Sequence, residues 1–68
     1  MFKLTVYKYL SDKRAEEIAS KRVVLVDHLE ASAARHGFEI TWDEPGVEGS
    51  LWKDGREVGG WTINKIGA

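Results

Sequence analysis

Hydrophobic and polar positions alternate through the first ten residues. Phe2, Leu4, Val6 and Leu10 fall on one side, interrupted by Lys8, and Lys3, Thr5, Tyr7 and Tyr9 fall on the other. The pattern predicts a strand with one core-like face and one polar, aromatic face. The period then lengthens to that of a helix, with Ala15, Ile18, Ala19, Leu25, Val26, Leu29 and Ala33 on one apolar arc. Ser11 or Asp12 offers a side-chain oxygen to free amides at the helix start, and Glu16 and Glu17 suit its first turns. Arg35 and His36 suit its end, and Gly37 stops it. A helix over residues 12–36 is expected, with Lys13, Glu17 and Lys21 as a solvated ladder at i, i+4 spacing. The β-branched stretch Val23 to Val26 would also suit a strand. The unbroken amphipathic spacing and the lack of a turn signal between residues 13 and 36 favour the helix.

Past Gly37, Phe38, Ile40 and Trp42 alternate with Glu39, Thr41 and Asp43, the mark of a half-buried strand. Glu44-Pro45-Gly46 has Pro and Gly where a type II turn wants them. A third strand runs through Leu51 and Trp52, and a fourth from Arg56 to about Lys65, joined by Asp54-Gly55, a strong two-residue hairpin signal. That loop sets Lys53 opposite Arg56, Trp52 opposite Glu57 and Leu51 opposite Val58, so Leu51 and Trp52 face opposite ways. Simple alternation would turn Trp61 and Ile63 away from Val58. A bulge at Gly59-Gly60 returns them to the core, which makes the glycine pair structural, since no phosphate-loop spacing surrounds it.

The expected fold is a single α+β domain over residues 1–68. It has two layers in β-α-β-β-β order, with one helix packed on one face of a four-stranded mixed sheet. One helix covers one face, so the other is expected to show Lys3, Thr5, Tyr7, Tyr9, Glu39, Thr41, Ser50 and Trp52. Arg22 projects into the apolar arc, where its stem is expected to pack and its head to reach an acidic side chain or the rim. Val24, with Ala31 and Ala34, makes a thin apolar stripe on the outer side of the helix.

Composition narrows function. A chain of 68 residues buries only about 60% of the surface its unfolded form exposes, which leaves little room for a pocket of roughly 300 Å³ or more. Ten basic and eleven acidic side chains give a net charge of −1, neither the basic excess of a nucleic-acid binder nor the strong acidity of a nucleic-acid mimic. Without cysteine there is no disulfide, thiol nucleophile or cysteine zinc site. The opening residues lack the continuous apolar stretch of a signal peptide, and no run approaches the roughly 20 apolar residues that span a bilayer. A cytoplasmic protein without membrane attachment is expected.

Catalytic chemistry finds little support. Ser11, Ser20, Ser32 and Ser50 lie in no nucleophile-elbow context. His28 and Ser32 are four apart, but Asp27 projects about 100° from His28, so no triad forms locally. His28 and His36 are about 12 Å apart along the axis, too far to share a metal. Asp43, Glu44 and Glu48 lack the oxygen spacing of a calcium loop. No enzyme activity, cofactor or metal is expected.

The expected function is a non-catalytic binding or regulatory module acting by protein contact or self-association. Tyr7, Tyr9 and Trp52 would be the anchors, with Lys3, Lys53 and Arg56 at the rim and the helix stripe at Val24 as a second surface. The alternative is a single-stranded nucleic-acid binder that stacks bases on the same aromatics.

Overall fold

A computed structural model describes residues 1–67. Its elements are β1 (Phe2–Lys8), β2 (Arg14–Ala19), α1 (Arg22–His36), β3 (Glu39–Glu44), β4 (Glu48–Lys53) and β5 (Arg56–Lys65). The strands form one sheet in the order β2-β1-β5-β4-β3, and each adjacent pair is antiparallel. This corrects the expected four-stranded mixed sheet in β-α-β-β-β order. The difference lies in residues 14–19, which form a strand and not the first turns of the helix. That strand reverses the chain once more before α1, so every neighbouring pair runs antiparallel and no parallel crossover is needed.

Six residues make too short a window for the two periodicities to separate. Ala15 and Ala19 fit an apolar helix arc, but they also fit one face of a strand, with Arg14, Glu16 and Ile18 on the other. The start signals misled as well. Ser11 does not cap a helix; its hydroxyl accepts the Lys13 N–H at 3.2 Å inside the β1–β2 turn. The true start at Lys21 has no side-chain cap and no acidic residue in its first turn. The expected Lys13–Glu17–Lys21 ladder is therefore divided among a loop, a strand and a cap position.

The other end of the helix forms as expected. Gly37 adopts φ 73°, and the amides of Gly37 and Phe38 donate to the carbonyls of Ala34 and Ala33, closing a Schellman motif. Asp54 and Gly55 have φ 53° and 75°, the double positive φ of a type I′ hairpin. Gly46, at φ 73°, follows Pro45 in a turn closed by the Val47 N–H donating to Glu44.

Leu25 and Leu29 of α1 pack on Leu4, Leu51, Trp61 and Ile63 of the sheet, and Ala33 is also buried. Trp61 and Ile63 are buried as expected, although the bulge sits one step earlier. Leu51 pairs with Gly59 and Trp52 with Glu57, so Val58 is the extra residue, and the expected Leu51–Val58 pairing does not form. Trp61 is fully buried. Its ring meets Trp42 edge-on at 5.0 Å, and its indole N–H donates to the Thr41 carbonyl at 3.3 Å. Arg22 is a latch: its guanidinium lies 4.9 Å from the Phe2 ring centroid and donates to the Gly46 carbonyl at 2.8 Å.

Candidate functional site

Strand register decides which side chains share a face. Lys3, Thr5 and Tyr7 pair with Asn64, Thr62 and Gly60 across β1 and β5, and with Ile18, Glu16 and Arg14 across β1 and β2. Thr41 pairs with Ser50, and Glu39 with Trp52. All these residues lie on the side away from α1. The register thus puts Lys3, Thr5, Tyr7, Glu39, Thr41, Ser50 and Trp52 on one side, although Thr5 is buried there and Tyr9 lies past the end of β1, and β2 widens the face with Arg14, Glu16 and Ile18.

Local contacts hold its aromatics in place. Tyr7 lies over its cross-strand partner Gly60, where an added Cβ would stand 2.4 Å from the phenolic oxygen. The absence of a side chain at Gly60 is what lets the ring lie down on the sheet, and Tyr7 is half-buried. Tyr9 is more open, 54% exposed, with its ring 6.2 Å from that of Tyr7. Its hydroxyl donates to the Glu57 carboxylate at 2.8 Å. The Trp52 indole N–H donates to the Thr41 hydroxyl at 3.0 Å. These cross-strand contacts stabilise the sheet and also fix the rotamers that a partner would meet.

The hydrogen bond to Glu57, and after it desolvation and the Glu57 charge, raise the Tyr9 pKa above its ordinary value of 10.0. Because the folded value is raised, the contact's contribution is complete below the unfolded tyrosine pKa and is lost as pH climbs through the folded one. Glu57→Gln should bring the Tyr9 titration back towards the ordinary value, read from its ring resonances by NMR. An unchanged titration would show that the carboxylate is not the cause.

Arg14 lies 6.0 Å from the Tyr7 ring centroid, whereas the expected rim cations Lys53 and Arg56 lie off this face and, of these aromatics, meet only Tyr9, at the end of the sheet. Lys53 pairs with Arg56, and both project to the helix side of the sheet, opposite Trp52. There the Lys53 ammonium lies 4.9 Å from the Phe38 ring centroid. Of the expected rim, only Lys3 is on the open face, and it pairs with Glu16 at 3.1 Å. By register the open face carries Lys3 and Arg14 against Glu16, Glu39, Glu44, Glu48 and Glu57. Val24 is exposed beside the more exposed Val23 on α1, remote from this face.

His28 does not engage Ser32. Its Nδ1 lies 2.7 Å from a Glu17 carboxylate oxygen and ties α1 to β2. His36 Nδ1 donates to the Ser32 carbonyl at 2.9 Å, closing the last turn of the helix. Among the described residues, no three His, Asp or Glu side chains converge to hold a metal ion. Among the same residues, no helix is long and apolar enough to cross a membrane. Sequence reasoning missed the helix-side groups Lys8, Phe38 and Glu17. Lys8 had left a signal as the one polar residue on the apolar face of the first strand.

The fold defines a small two-layer α+β domain with one sheet face left open. The chain belongs to the family described as Mycobacterium phage Gp84-like protein, which matches residues 1–66. It is 52% identical over 66 residues to the gene 84 protein of Mycobacterium phage L5, covering 97% of this chain and 100% of that protein. It is 39% identical over 64 residues to the gene 84 protein of Mycobacterium phage D29, covering 94% and 97%. No solved structure matches the chain.

Proposed function

We propose that the protein is a non-catalytic binding or regulatory module that works in the cytoplasm by occupying a protein surface, or a second copy of itself, through the open face of its sheet. The observation that carries this reading is the face itself. Among the described residues it is five strands wide with no covering layer, and it presents the exposed Tyr9 and Ile18 beside the half-buried Tyr7 and Trp52. Aromatic side chains already held by Glu57 and Thr41 lose little freedom when a partner covers them. Charge separates this from the single-stranded nucleic-acid alternative. Five carboxylates share the face with two cations, one of them already paired, so a phosphate backbone laid across the aromatics would meet net repulsion.

The test is affinity capture of the tagged protein from mycobacterial lysate, with and without nuclease, beside a folded Tyr9→Ala/Trp52→Ala variant. Tyr7 is left intact because its ring packs on Gly60. A partner, or the chain itself, should be retained in stoichiometric amount after nuclease and lost with the variant. Capture abolished by nuclease, or unchanged in the variant, would overturn the proposal. Raising salt should alter retention little, whereas phosphate-driven binding weakens with each counterion released.

A further inference from the structure

On the helix side, at the end of the sheet where β1 and β4 finish, two concavities meet at Lys8 and Phe38. The first is a slot of about 250 Å³ floored by Leu4, Leu29 and Leu51. It exists because the residues along it, Ala15, Ser32 and Ala33, are small. The second is an open trough between the Tyr9–Ser11 turn and the base of the Asp54-Gly55 hairpin, where Lys53 and Arg56 stand and the Leu10 side chain is fully exposed.

The charges there are unbalanced. The ammonium groups of Lys8 and Lys53 lie 5.0 and 4.9 Å from the Phe38 ring centroid, and Arg56 lines the same trough. Among the described residues the ion pairs are Lys3–Glu16 and His28–Glu17, so none of these three cations has a carboxylate partner. The two carboxylates that line the concavities are already engaged, Glu17 by His28 and Glu57 by the Tyr9 hydroxyl. Asp54, in the hairpin turn beyond, is the nearest remaining counter-charge along the chain. Lysines held over an aromatic ring keep their positive charge close to an apolar surface.

We infer that this groove is a second binding site, for an acidic segment of a partner protein carrying one large apolar side chain. The apolar group enters the slot and the flanking carboxylates meet Lys8, Lys53 and Arg56. The slot is smaller than the roughly 300 Å³ at which small-molecule pockets begin, and suits a single anchoring side chain. Charge complementarity selects acidic flanks. A nucleobase is a poorer occupant, because stacking on Phe38 would displace a lysine already over the ring.

The probe is a fluorescein-labelled peptide, Asp-Glu-Phe-Asp-Glu, titrated by fluorescence anisotropy into the full chain. Saturable binding should weaken by about tenfold in Lys53→Glu/Arg56→Glu, and similarly in Lys8→Glu should the double variant fail to fold. Replacing the peptide's Phe by Ser should weaken it comparably, and Trp52→Ala, on the opposite face, should leave it unchanged. That last variant separates this site from the sheet-face contact. No saturation by about 1 mM, equal binding of a Lys-Lys-Phe-Lys-Lys peptide, or tighter binding of an oligothymidylate of matched charge would overturn the inference.

Discussion

Trp61→Ala should remove a large share of the chain's stability. The indole is 0% exposed, is among the largest fully buried side chains, and joins the sheet to the helix. Truncating a buried aromatic of this size costs about 3–5 kcal/mol, from lost transfer energy and the cavity left behind. A 68-residue chain has roughly 3–10 kcal/mol of stability in total. The substitution also strips Trp42 of its edge-on partner and leaves the Thr41 carbonyl without the indole donor. Urea titration followed by circular dichroism is the measurement. A large fall in the transition midpoint is expected. A midpoint near that of the parent chain would mean that the core is organised around something other than Trp61.

Gly49→Ala should approach that effect by adding a single methyl group. The new Cβ would stand 1.8 Å from the Thr41 carbonyl oxygen and 2.8 Å from the Trp61 indole nitrogen. The first obstacle is the backbone of the neighbouring strand, which cannot rotate away as a flexible side chain can. Either β3 and β4 separate locally or the indole leaves its site, and overpacking of this kind costs about 1–3 kcal/mol or more. Thermal unfolding should show a drop of several degrees at least, whereas Ser50→Ala, one residue on and facing the other way, should be nearly neutral. A Gly49→Ala protein that melts with the parent would contradict the close approach of β3 to β4 at this point.

Local chemistry was legible wherever one residue type dictates backbone geometry. Asp54-Gly55, Pro45-Gly46 and Gly37 each announced the reversal or stop that forms. Alternation from those points placed Tyr7, Thr41 and Trp52 together before any pairing was known. The same rule held information left unused. If a two-residue loop turns Trp52 outward, it turns its neighbours Lys53 and Arg56 to the helix side, and the separation of these cations from Trp52 follows.

Residues 14–19 were illegible for a different reason. Strong helix-start residues stand nine and ten positions before the uncapped N-cap position Lys21, and alanines four apart at 15 and 19 satisfy either period. What makes the segment a strand is tertiary: pairing with β1 satisfies a backbone edge that would otherwise face solvent. The Glu17–His28 contact, eleven residues apart, follows from that pairing and left no trace in local pattern.

The central claim is that the open face is a contact surface, and hydroxyl-radical footprinting of the tagged protein in mycobacterial lysate tests it most directly. Trp42, partly exposed at the helix-side edge, is the internal reference for radical dose. Relative to purified protein, oxidation of Tyr9 and Trp52 should fall several-fold against Trp42 in lysate, and recover when lysate proteins are removed. Equal oxidation ratios in lysate and in buffer would contradict the claim, because a face that stays wet among its partners is not where the protein binds.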